Sequence, residues 1–438
     1  MPDAITVRRA RRWLLLGAIA LGVAGLFAGL LSNTKSDYFY TALVVHVDLS
    51  VLVWFLTMAC LFFTLAARGR GWAILADASF YSFSGGAALI ALSSLTGGAP
   101  YMSNYIPVIH HPVFFLGLGL LFCGVLGVVA NLLSGGKALI MDVQAYGVVS
   151  AAWILLIAVA CFVRSQQSLP SDLHGQIYYE YAFWGGGHVL QFAHVQLMMV
   201  AWLWLAGSAG LSVRLKEGHI TALYFVGLVS MFAAAAIYAA YPATSDEHRD
   251  SFTLLMKHAN GLAPLVLGGF ILHALIVPAK ARTLGKSHNI EASAGMTLPK
   301  ITLLMSILLF AVGGGLGYLI KGSNVVVPAH YHGSIIAITI AFMGVAYLLL
   351  PAFGWEDVSR SRLAFWQPVI YGSGQLCWMV SMAVLGEYGV PRKTPGSADT
   401  KGAVVSFFKH SADGLALIGG LLFVFVVLRA VYRKPRLQ

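Results

Sequence analysis

Apolar runs of bilayer-spanning length recur from one end of this chain to the other, separated by short polar stretches, and they decide what it can fold into. Hydrocarbon offers no water to unpaired backbone groups, so such runs must close their hydrogen bonds internally, as helices. A span needs about 20 mostly apolar residues. Twelve helices are predicted, near 11–32, 39–67, 72–96, 109–133, 142–164, 178–209, 219–241, 252–277, 299–320, 326–352, 364–386 and 404–432. With 58% hydrophobic and 10% charged residues, the 438-residue chain is an all-α polytopic membrane protein and not a soluble domain.

Charge placement orients the bundle. With the N-terminus inside, 19 of the 28 Lys and Arg residues fall in inner segments, as the positive-inside rule requires. This predicts one integral-membrane domain over residues 1–438, both termini on the inner side of a bacterial-type cytoplasmic membrane. The first run follows Arg8, Arg9, Arg11 and Arg12 and is expected to be kept as a helix. The net charge of +11 is divided among short loops, so no basic groove for nucleic acid exists. The four cysteines lie in apolar runs and form no CxxC or CxxCH motif, which excludes covalently attached heme and a zinc ribbon.

The chemistry lies in the histidines. His330 and His332, in VVPAHYHGSIIA, sit two residues apart on one helix. At 3.6 residues per turn they point about 200° apart. They are badly placed to grip one ion together, but each can serve a metal on its own flank. His46, His110, His111, His188, His194, His258 and His410 lie on the other even-numbered helices, towards the same outer side. Ionisable groups at that depth need partners and mark functional sites. His110, His111 and His410, near helix ends, read as interfacial residues. His174, His219, His248 and His288 read as loop residues.

These residues resemble subunit I of the heme-copper oxidase superfamily, the cytochrome oxidases and nitric oxide reductases. The resemblance implies a twelve-helix bundle with two hemes. It implies that His46, in VVHVDLSVLVWFL, and His332 bind a low-spin heme as a bis-histidine pair, and that His330 binds a high-spin heme. FAVGGGLGYLIKGSNVVVPAHYHG is similar to the family's glycine-rich ninth helix leading into the tenth. GEYGVPRKT is similar to the loop whose basic pair holds heme propionates, which assigns that role to Arg392 and Lys393. FWGGGHVLQFAH is similar to the WxxGH segment, so His188 matches a ligand of the nonheme metal.

Two departures stand out. Phe192 and Leu190 occupy positions where common oxidases carry a cross-linked tyrosine and a proton-relaying acid, which moves the resemblance towards nitric oxide reductases and cbb3-like enzymes. The seventh helix lacks the family's His-His pair, and Tyr238 and Tyr241 lie near its place. A nonheme iron or copper then needs substitute ligands, His258 or His194, or it is missing. Glu180, two turns before His188, is a candidate proton gate or metal carboxylate. Electrons must come from a cytochrome c or cupredoxin-like subunit, or from quinol. The expected activity is reduction of nitric oxide or dioxygen by a respiratory reductase. The alternative is a diheme electron-transfer or gas-sensing protein without the nonheme metal.

Overall fold

The computed structural model describes residues 3–31, 38–136, 142–277, 295–392 and 403–433. Twelve helices are long and apolar enough to cross a membrane. They are α1 (Ala4–Leu30), α2 (Phe39–Ala67), α3 (Ala73–Leu95), α4 (Pro112–Leu133), α5 (Val143–Ser168), α6 (Gly175–Ser208), α7 (Glu217–Ala240), α8 (Asp246–Ile276), α9 (Leu298–Tyr318), α10 (Val326–Ala352) and α11 (Arg362–Glu387), closed by α12 (Ala403–Tyr432). The chain is a multi-pass membrane protein. Most boundaries fall within a few residues of those predicted, and three differences have local causes.

The first helix begins at Ala4 rather than near 11. Asp3 caps it by accepting from the Thr6 N–H at 2.9 Å, and the arginines continue the helix because α3 supplies an anion. Arg9 and Arg12 both reach Asp77, and Arg9 also donates to the Ala73 carbonyl at 3.2 Å. A paired guanidinium avoids the cost of an isolated buried charge.

Between α3 and α4 the chain forms a small antiparallel hairpin of β1 (Ala99–Tyr101) and β2 (Val108–His110), with Ala99 opposite His110 and Tyr101 opposite Val108. The fourth helix therefore starts at Pro112, not near 109. His111 is its N-cap, its Nδ1 accepting from the Val113 N–H at 3.3 Å. His110 bonds the Tyr179 hydroxyl at 2.7 Å.

The eighth helix starts six residues early, at Asp246, because the Ser245 hydroxyl accepts from the His248 N–H at 3.1 Å. Asp246 and Glu247 in its first turn favour the positive end of the helix. His248, expected in a loop, is thereby carried into the helix and buried completely. Two spans contain a π-helical segment, Asp48–Val53 in α2 and Met256–Asn260 in α8; such bulges concentrate at functional sites.

The chain divides into two compact units. The first holds Met1–Leu197 and Tyr224–Gly261. Within it α3 and α4 pack backbone to backbone, where a Cβ on Gly86 would lie 2.5 Å from the Gly117 carbonyl oxygen. The second holds Met198–Leu223 and Leu262–Gln438. Here α9 and α10 touch at glycine: a Cβ on Gly313 would lie 2.7 Å from the Gly333 Cα. Small residues at helix crossings let backbones approach in this way.

Candidate functional site

The glycine contact of α9 with α10 positions His330. Its Nδ1 donates to the Gly313 carbonyl at 2.7 Å. Gly317, one turn further along α9, faces the same imidazole, and a Cβ there would lie 2.7 Å from Nδ1. The GGGLG run thus removes side chains where a ring must fit and offers a carbonyl to that ring.

His332 turns to another neighbour. Its ring stacks on Trp378 of α11 with centroids 4.0 Å apart, and its Nδ1 meets the Gln375 amide oxygen at 3.4 Å. The two imidazoles are therefore served by different helices, α9 for one and α11 for the other, as their 200° separation requires.

The chain after α11 returns to the start of α10. Val325 donates to the Val390 carbonyl at 3.1 Å, Asn324 and Pro391 form a bridge, and Arg392 Nε donates to the Ser323 hydroxyl at 3.0 Å. Val325, Ala329, Met382, Leu385 and Val390 form the buried cluster beneath. Arg392 is thus fixed near the histidine pair, close enough for its charge to be felt at Tyr331. Lys393 lies outside the described residues.

In the first unit, His46 Nδ1 bonds the Ala24 carbonyl of α1 at 2.9 Å. Two residues on, Asp48 is wholly buried, and neither carboxyl oxygen has a hydrogen-bonding partner. His188 Nδ1 donates to the Trp184 carbonyl of its own helix at 2.8 Å. The triglycine before it forms three sockets: any side chain at Gly185, Gly186 or Gly187 would collide with Tyr238, Phe162 or Tyr105 respectively. Tyr105 and Trp184 both lie 4.8 Å from the His188 ring, and Phe252 lies 5.8 Å away. Burial, followed by the charge of Glu180, pushes the Tyr105 hydroxyl well above its ordinary pKa. Glu180 itself accepts from the Asn104 N–H at 3.3 Å and from Gln176 at 3.1 Å.

The other predicted residues divide. Tyr238 joins the His188 neighbourhood, its hydroxyl donating to the Cys161 carbonyl at 3.1 Å and meeting Ser165 at 2.7 Å. Tyr241 is exposed just past the end of α7. His258 is exposed in the π-helical turn of α8. His194 is buried, edge-on to Phe55 at 4.8 Å, with neither ring nitrogen hydrogen-bonded. His248 was missed by the sequence reading, and its own signal was available in Ser245 followed by two acids, a helix start.

A carbonyl oxygen can only accept a hydrogen bond, so each ring nitrogen facing one must carry the proton. His46, His188 and His330 are held in the tautomer that leaves the lone pair on Nε2, and His332 faces the Gln375 side-chain amide at 3.4 Å. Metal-ligating histidines are oriented by this kind of bond on the second nitrogen. An imidazole with its lone pair on Nε2 is a donor that fits a metal ion or heme iron, and His46, His188 and His330 each offer one. Among the described residues, no three His, Cys, Asp or Glu side chains converge to hold an ion by themselves.

The fold matches, across 100% of this chain and 86% of the other, the solved structure of a heme-copper terminal oxidase dimer, with a TM-score of 0.71 at 17% sequence identity. The likeness shows the fold alone: a twelve-span, all-α bundle like that of the matched chain. In sequence, the chain is 26% identical over 490 residues to an uncharacterized protein of Rickettsia prowazekii (strain Madrid E), covering 97% of this chain and 96% of that protein. It is also 26% identical over 361 residues to an uncharacterized protein of Aquifex aeolicus (strain VF5), covering 79% and 85%. No protein-family model matches the chain.

Proposed function

We propose that this chain is the catalytic subunit of a membrane respiratory reductase. His46 and His332 would hold a low-spin heme, and His330 would hold a high-spin heme that supplies the chemistry of nitric oxide or dioxygen reduction. One observation carries the reading. The four histidines named by the family resemblance are the four described above whose Nδ1 meets a carbonyl or amide oxygen at 2.7–3.4 Å. His194 and His248, equally buried, have no such bond.

When bound, the hemes supply one-electron chemistry and an open iron position for a diatomic gas. The chain's own residues do the rest. Gly313 and Gln375 fix the ring planes of His330 and His332, so each Nε2 is aimed without reorganisation. Arg392, tied to Ser323, offers a guanidinium to a propionate, the forked geometry best suited to a carboxylate. His188, on its carbonyl, presents Nε2 to a nonheme iron or copper. Phe192 is buried and has no hydroxyl, so the helix-6 position that supplies a proton in common oxidases supplies none here. That favours nitric oxide over dioxygen as substrate. Tyr105, 4.8 Å from the His188 ring, and Glu180, whose charge reaches Tyr105, are groups able to hold a proton on this side of His188. The electron donor is a cytochrome c or cupredoxin-like subunit, or quinol.

The second reading, a diheme electron carrier or gas sensor, is motivated by the missing His-His pair of the seventh helix, Glu217–Ala240, whose one histidine is His219. Reduced-minus-oxidised and carbon monoxide difference spectra test the first reading. Two hemes are expected, one of them binding carbon monoxide. His332→Ala is expected to remove the low-spin signal, and His330→Ala the carbon monoxide response. Both hemes surviving either substitution would refute that assignment, and two hemes without turnover of either gas would select the carrier.

A further inference from the structure

The membrane face where α10 and α12 end and α11 begins carries a groove of about 410 Å³. Arg360, Arg362 and Arg429 line it together with Glu356 and Asp357. Both acids are engaged elsewhere. Glu356 pairs with Arg433 at 3.5 Å, and Asp357 accepts from the Ser359 N–H of its own loop at 2.8 Å. The Glu356 N–H donates to the Ala430 carbonyl at 3.1 Å, which ties that loop to α12. Among the described residues, none of the three lining arginines has an ion pair. Counted with Arg433, four guanidinium groups face two carboxylates, an excess of two positive charges. The N-terminus of α11 also borders the groove, and its first turn holds no acid. That end of a helix favours an anion.

We propose that this groove holds the phosphate headgroup of an anionic phospholipid. A guanidinium fork suits a phosphate, and what selects a lipid over a soluble phosphate lies beneath the arginines. Residues four apart share a helix face, so Trp366 lies under Arg362 on α11 and Phe425 under Arg429 on α12. Both rings are exposed, at 53% and 54%, and exposed Leu421 and Ile418 continue the α12 stripe. The two helices pack together, Gln367 of α11 donating to the Gly419 carbonyl of α12 at 3.1 Å. Because α11 leaves this face as α12 arrives at it, both apolar stripes run from the arginines into the hydrocarbon. Acyl chains can cover them, and an exposed tryptophan is at home at the headgroup level. Inorganic phosphate makes no use of either stripe. The site does not depend on any heme.

The test titrates the full chain in detergent with phosphatidylglycerol, phosphatidylcholine or inorganic phosphate, and counts bound lipid by native mass spectrometry. One tightly held phosphatidylglycerol per chain is expected, with phosphatidylcholine at least tenfold weaker. Arg360→Gln combined with Arg429→Gln should weaken phosphatidylglycerol about 25-fold, roughly fivefold for each arginine removed. Arg214→Gln combined with Lys216→Gln removes equal charge from the loop between α6 and α7 on the same face, and should leave binding within about twofold. Trp366→Ser combined with Phe425→Ser should weaken the lipid severalfold. Should the double arginine variant not fold, exposed Arg360→Gln alone is read for its fivefold effect. Equal weakening by the two charge-removing pairs, or phosphatidylcholine bound as tightly, would overturn the site. Displacement by inorganic phosphate, with the Trp366 and Phe425 variant binding like the parent, would make the ligand a soluble phosphate and overturn the lipid.

Discussion

The neighbourhood of His330 and His332 and that of His188 and His248 solve the same problem in opposite ways. On α10 each imidazole has a polar acceptor on an adjacent helix, and the space for it is carved by glycine or floored by tryptophan. Beside α6 only His188 is anchored, by its own helix, and His248 is packed among aromatic edges with no acceptor. The first region is organised before any cofactor arrives. The second leaves both ring nitrogens of His248 without a hydrogen-bonding partner among the described residues.

Gly317→Leu gives the largest test of this contrast. A side chain there meets the His330 ring directly, and overpacking costs about 1–3 kcal/mol even where the fold survives. Carbon monoxide binding is expected to fall by about tenfold or more, the scale of losing a metal ligand's support. The low-spin spectrum should persist. Loss of both hemes together would mean that the two α10 ligands are not independent.

Gly187→Leu makes the matching intrusion in the other region, where it displaces Tyr105 from the His188 ring. The expected outcome is a severalfold loss of nonheme metal with both heme signals kept. An unchanged nonheme-metal count would mean that the aromatic surroundings of His188 contribute nothing to retention. Gln375→Leu is gentler: the Trp378 stack remains and only a long 3.4 Å contact is removed. The low-spin heme should stay, with affinity reduced at the weaker end of the 10–100-fold range for such supporting groups.

These variants also show what could be seen in the sequence. Twelve apolar runs gave the fold, since hydrocarbon leaves the backbone no alternative to the helix. The GGGLG and HYH segments gave α9 and α10, because glycine marks a close approach and a two-residue step on a helix changes face. His248 was not seen, since ATSDEHRD is polar enough to read as a loop. Only the Ser245 cap and the helix that follows bring it inside. The hairpin at Ala99–His110 escaped because three-residue strands carry no usable period. The roles of Trp378, Gln375 and Tyr105 depend on contacts far apart in the chain, which hydrophobic spacing does not encode.

The smallest expected effect is the most discriminating. Tyr238→Phe deletes a hydroxyl bonded to Cys161 and Ser165 but keeps the ring edge that faces His248. Net loss of such bonds costs about 1 kcal/mol, read as a modest fall in the unfolding temperature of the detergent-solubilised protein. Nonheme-metal and heme counts should not change, because the hydroxyl is bonded to Ser165 and Cys161 and not to an imidazole. If the nonheme metal leaves with it, the phenol is a ligand beside His188, and the contrast between the two regions must be redrawn around an oxygen donor.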